Sequence, residues 1–169
     1  MSRYLKAFIG VSALALGAFK CSRAQEEFLA VQVCLVDEGG ATQFAEIMRE
    51  VARSEGLRFV DGSAETRDYL KDVREKGQVK LDHLPTINMG IEGEHGLGVT
   101  AGNLGLPSNQ VALGFTAGRN ATKAHKLADH LVQALSQRWR VQTVPKGQGS
   151  FAMSSCAQDE NGQNQAKAR

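Results

Sequence analysis

Residues 87–101 read INMGIEGEHGLGVTA, and this stretch decides the fold class. Ile87, Met89 and Ile91 alternate with Asn88, Gly90 and Glu92, and Leu97, Val99 and Ala101 then alternate with Gly98 and Thr100. A period of two sends the two sets to opposite faces of a strand, and Glu94-His95-Gly96 between the runs supplies a reversal. The stretch predicts an antiparallel hairpin with one apolar face.

Working towards the C-terminus, Val111, Leu113, Phe115 and Ala117 form another strand after the loop at 105–109. Ala124, Leu127, Ala128, Leu131, Val132, Leu135 and Trp139 then share one helical face, with Asn120 or Thr122 as its N-cap. Val141–Pro145 returns as a last strand. Towards the N-terminus, Leu29, Val31, Val33 and Leu35 alternate with Ala30, Gln32, Cys34 and Val36 as a half-buried strand. Phe44, Ile47, Met48, Val51 and Ala52 repeat at helical spacing up to a stop at Gly56, and Leu57–Asp61 is a short second strand. Glu46 with Arg49 and Glu50 with Arg53 are pairs on the wet face of that helix. Residues 62–83 are charged and poor in apolar side chains. They read as a solvated connection holding a short helix capped by Thr66 and carrying Tyr69, Leu70 and Val73.

The order β-α-β-(short α)-β-β-β-α-β predicts an α+β fold, with two principal helices on one face of a mainly antiparallel sheet. It resembles a ferredoxin-like sandwich with an extra hairpin. That likeness is one of architecture and implies no activity.

The termini set the compartment. Arg3 and Lys6 precede the apolar run Ala7–Phe19, and Ser22-Arg23-Ala24 offers small residues for cleavage after Ala24. The run is shorter than the roughly 20 residues a membrane-spanning helix needs. Residues 1–24 therefore read as a signal peptide, 25–156 as a single domain and 157–169 as a disordered polar tail. The full chain has 20 basic and 18 acidic side chains, a formal net charge of +2. Removing the leader takes away Arg3, Lys6, Lys20 and Arg23 and no acid, so the balance turns slightly negative. No basic footprint survives, which excludes nucleic acid as a partner. The expected location is periplasmic or secreted, without a membrane span after cleavage. Cleavage also reduces the 3 cysteines to Cys34 and Cys156. In an oxidising compartment these two are expected to form a disulfide.

The face opposite the apolar residues is nearly all small: Gly90, Gly98, Thr100, Gly102, Ala112, Gly114 and Thr116. Glycine inside a strand marks close approach by a backbone or a ligand. This face is the candidate site for a ligand or partner. Cys34 shares it by parity, so a bridge to Cys156 offers a second occupant, Gly147–Cys156, laying Phe151 and Met153 on the small residues.

Signals for chemistry are few. Glu92, Glu94 and His95 are the one candidate metal-ligand set, and no second cluster at ligand spacing joins them, so no metal or other cofactor is assigned. Arg119 and Lys123 at a helix entrance are candidate anion ligands. His125 and His130 stand about 500° apart around their helix and diverge, leaving His125 to pair with Asp129. The glycines from Gly96 to Gly102 miss the dinucleotide spacing, and Gly118–Lys123 lacks the Gly-Lys-Ser/Thr of a P-loop. No Gly-x-Ser-x-Gly elbow occurs, and no catalytic residue is assigned. The expectation is an exported, non-catalytic binding or interaction protein with a protein partner, of the immunity or envelope-accessory type. The alternative is a small exported enzyme or ligand carrier, with its site at Glu92/Glu94/His95 or at Arg119/Lys123.

Overall fold

A computed structural model describes residues 27–35, 39–75, 86–103, 106, 110–146 and 156. The expected signal peptide and polar tail lie outside the described residues. The elements run β1 (Glu27–Cys34), α1 (Gly40–Ser54), β2 (Arg58–Asp61), α2 (Ser63–Glu75), β3 (Asn88–Glu92), a 3-10 turn (Glu94–Gly96), β4 (Leu97–Gly102), β5 (Gln110–Ala117), α3 (Ala121–Ser136) and β6 (Val141–Thr143).

All six strands form one sheet in the order β2-β3-β4-β5-β1-β6, and every neighbouring pair is antiparallel. Counting antiparallel steps makes β1 and β2 parallel, with β5, β4 and β3 between them. The same counting makes β5 and β6 parallel on either side of β1. Each pair is joined through a helix, so the chain holds two split βαβ units. Deleting the hairpin β3–β4 would leave β2-β5-β1-β6, the strand order of a ferredoxin-like sandwich. The hairpin read from residues 87–101 is thus the inserted one, and it widens the sheet.

The core lies between the sheet and the helices α1 and α3. Val31, Val33, Ile91, Val99, Val111, Leu113 and Phe115 from the sheet meet Phe44, Met48 and Val51 of α1 and Leu127, Leu131 and Leu135 of α3, all buried. Each such side chain contributes about 1.5–3 kcal/mol of transfer free energy. Trp139, just past α3, closes the layer with its ring 6.3 Å from that of Phe44. α1 ends as its glycine predicts: Gly56, at φ 63°, donates to the Arg53 carbonyl and Leu57 to that of Ala52. Two crossing bonds of this kind satisfy carbonyls that the last turn leaves open.

Local readings failed where a tertiary contact intervened. β1 begins at Glu27 and ends at Cys34, earlier than its apolar alternation suggests. α2 is a helix of 13 residues, not a short one. It starts at Ser63, whose amide donates to Asp61 Oδ1, while Thr66 lies inside it and accepts from Asn88 Nδ2 of β3 at 2.8 Å. Tyr69 of α2 is 67% exposed. Glu50 and Arg53 pair as expected, but the Arg49 guanidinium stands 5.0 Å above the Phe59 ring, where cation–π attraction replaces the pairing with Glu46. His125 meets the Phe28 ring edge-on at 4.6 Å in place of Asp129.

His130 has a partner that no local spacing announces. Its Nδ1 is 2.8 Å from Glu55 Oε1, and Lys126 Nζ donates to Glu55 Oε2 at 3.0 Å, clasping the end of α1 to α3. A carboxylate only accepts, so the imidazole nitrogen is the donor. The bond from His130 first, and that from Lys126 second, hold the Glu55 carboxyl below its ordinary value. A depressed folded-state pKa adds stability above the unfolded value, and that stability is lost as pH falls through the folded one. Glu55→Gln is therefore expected to cost about 1 kcal/mol near neutrality, since both partners are solvent-accessible. The deficit should begin to shrink as pH falls below the unfolded value of about 4.5 and disappear only below the depressed folded one, where the parent too is uncharged. Thermal melts of both proteins across that range check it; a deficit independent of pH would remove the ion pair from the account.

Candidate functional site

Strand register arranges the face away from α1 and α3 in rungs. Gly90, Thr100, Gly114 and Ala30 form one rung, and Asn88, Gly102, Ala112 and Gln32 the next. Glu92, Gly98, Thr116 and Glu27 form a third. Six residues of the first two rungs, Ala30, Asn88, Thr100, Gly102, Ala112 and Gly114, line a groove of about 840 Å³, with Glu27 and Thr143–Lys146 also on its walls.

Of the residues predicted for this face, Thr100, Gly102 and Gly114 line the groove together with Ala112. Gly90, Gly98 and Thr116 share the face but do not line it. Their smallness answers neighbouring strands. A Cβ on Gly98 would run into the Ile91 carbonyl, and one on Gly90 would meet the Val99 carbonyl at 3.2 Å. Thr116 Oγ1 donates to the Gly96 carbonyl at 2.8 Å, tying β5 to the hairpin turn.

The other end of the face is closed. Gln32, Cys34 and Gln110 are buried there, and Cys34 is bonded to Cys156 with a Cα–Cα distance of 5.7 Å. The expected pairing of Cys34 and Cys156 thus forms and carries residue 156 onto this face. The suggestion that Phe151 and Met153 cover the small residues falls outside the described residues.

The second region unites two candidates that the sequence kept apart. A cleft of about 740 Å³ is lined by Arg58 and Leu57, by Glu92, Gly93, Glu94, His95 and Leu97, and by Arg119, Asn120 and Lys123. The hairpin tip and the entrance to α3 are two walls of one depression. Gly118, at φ 57°, lets them close up, because a Cβ there would stand 2.5 Å from the Leu97 amide nitrogen and 2.6 Å from the His95 carbonyl oxygen. His95 itself takes φ 52°, the one positive φ of a non-glycine residue among those described. Asn120 caps α3, its Oδ1 accepting from the Lys123 amide at 2.9 Å.

Metal ligation at Glu92, Glu94 and His95 is not supported. Glu92 turns across the sheet to pair with Arg58, and among the described residues no three His, Cys, Asp or Glu side chains converge as a ligand set.

The chain matches no protein-family model, and neither the curated proteins nor the solved structures contain a match at a significant level.

Sequence reasoning missed Glu27 and Arg58. Glu27 precedes the apolar alternation of β1, and a register shift between Glu27 and Leu29 accompanies the placement of its carboxylate against Gly114. No sequence signal marks that shift. Arg58 reaches Glu92 because β2 pairs with β3, a consequence of strand order that local pattern does not contain.

Proposed function

We propose that this chain is an exported, non-catalytic binding protein whose groove receives an extended polypeptide segment of a protein partner, as an immunity-type protein or an envelope-complex accessory would. One observation carries this reading: the groove floor of Ala30, Thr100, Gly102 and Ala112 presents few side-chain atoms, so a partner's backbone can approach the sheet closely beside Gly114, which the Glu27 carboxylate covers. The groove wall runs from Thr143, the last residue of β6, to Lys146, and β6 is an edge strand among the described residues. An edge offers main-chain donors and acceptors to an added strand. The Cys34–Cys156 bridge suits an oxidising compartment, and no helix among the described residues is long and apolar enough to cross a membrane.

Panning a library of linear peptides against the purified protein tests the proposal. Enriched peptides are expected to bind Ala112→Trp and Thr100→Trp at least about tenfold more weakly, with circular dichroism unchanged. Peptides that bind both variants as well as the parent, or a library that enriches nothing, would overturn it.

A further inference from the structure

The mixed-charge cleft at the opposite end of the hairpin is not used by the groove reading and stands on separate residues. We propose that it binds a small zwitterion carrying one carboxylate and one ammonium group, of the apolar amino-acid class.

Charge matching carries the inference. The cleft draws Arg58 from β2, Glu92 from β3, Glu94 from the turn, and Arg119 and Lys123 from the start of α3. Arg58 and Glu92 already neutralise one another. Arg119 and Lys123 make no ion pair among the described residues, and neither does Glu94. A simple anion would answer the two cations and face the Glu94 carboxylate. A simple cation would answer Glu94 and face Arg119 and Lys123. A molecule with both charges meets all three groups, its carboxylate towards Arg119 and Lys123 and its ammonium towards Glu94.

The remaining walls define the rest of the ligand. Leu57 and Leu97 lie close together beneath Gly93, where a Cβ would stand 2.9 Å from Leu57 Cδ2 and 3.0 Å from Leu97 Cδ2. That apolar floor takes an aliphatic or aromatic side chain. The cleft, at about 740 Å³, has room for such a molecule. The Lys123 amide of the α3 entrance is already bonded to Asn120 Oδ1, so Lys123 offers the ligand its side chain.

The test is a nitrogen–proton NMR titration of the disulfide-bonded protein with L-leucine, L-methionine and L-phenylalanine. It is run beside 4-methylpentanoate, which lacks the ammonium group, and isopentylamine, which lacks the carboxylate. At least one amino acid is expected to give saturable shifts at Gly93–Leu97 and Arg119–Lys123. Each single-charge analogue should bind at least about tenfold more weakly. Arg119→Gln and Glu94→Gln should each weaken the amino acid by about the same factor, while the groove variant Ala112→Trp leaves it unchanged. Both cleft residues are exposed, so their substitution spares the core. No cleft shifts with any amino acid up to about 10 mM would overturn the proposal. So would an analogue that binds as tightly as the amino acid.

Discussion

A protein carrying both Cys34→Ser and Cys156→Ser is expected to lose about 4–5 kcal/mol of unfolding free energy relative to the bridged parent. The two cysteines are 122 residues apart in sequence, so the bridge closes a loop spanning most of the chain. Constraining so long a loop removes more conformational entropy from the denatured state than a short cross-link does. The Cα–Cα distance of 5.7 Å sits within the normal disulfide range, so native geometry accepts the bond without movement. Both cysteines are fully covered, and serine at either position would also bury a hydroxyl in place of sulfur. Domains of this size are stable by about 5–15 kcal/mol, so the loss takes about a quarter of the total or more. Urea unfolding without reductant measures it directly. The denaturant slope should rise in the variant, because an unbridged denatured chain exposes more surface. A loss under about 1 kcal/mol would mean that the bridge is incidental to stability.

What the sequence revealed, and what it hid, follows from the range of the interaction involved. Alternation in residues 87–101 is a property of one strand at a time, so the hairpin and its turn were legible. The same holds for α3, whose apolar face and Asn120 cap depend on residues within a few turns. The small-residue face was legible by parity, but its division into groove and backbone-packed positions was not. Whether Gly98 or Gly114 faces open space depends on the partner strand: the Ile91 carbonyl stands over the first and the Glu27 carboxylate over the second. Both charged candidates were found, at Glu92/Glu94/His95 and at Arg119/Lys123, yet as separate alternatives. Their union needs the turn at Gly118, which is a contact between the end of β5 and the start of β4. Glu55 with His130 was invisible for the same reason, since 75 residues separate them.

That turn makes the last expectation sharp. Gly118→Ala should destabilise the protein by about 2–5 kcal/mol, through two separable effects. A residue with a Cβ at φ 57° pays about 1–2 kcal/mol for the left-handed conformation alone. The Cβ would also stand 2.5 Å from the Leu97 nitrogen and 2.6 Å from the His95 oxygen, and both obstacles are backbone. Backbone cannot rotate away as a flexible side chain can, so β4 or the turn must shift, adding an overpacking cost of about 1–3 kcal/mol. Gly56→Ala isolates the first effect. Gly56 also has a positive φ, 63°, but its Cβ would meet nothing within 4 Å. Its cost should therefore stay at about 1–2 kcal/mol. Parallel urea titrations of the two variants give the comparison, and equal losses would show that crowding at Gly118 contributes nothing. Because the displaced atoms belong to His95 and Leu97, Gly118→Ala should also shift amide resonances along Gly93–Leu97. Gly56 itself lines the same cleft, but Gly56→Ala leaves the contact between tip and helix entrance intact. A variant that distorts the cleft without touching a charged side chain separates the placing of the two walls from the charges they carry.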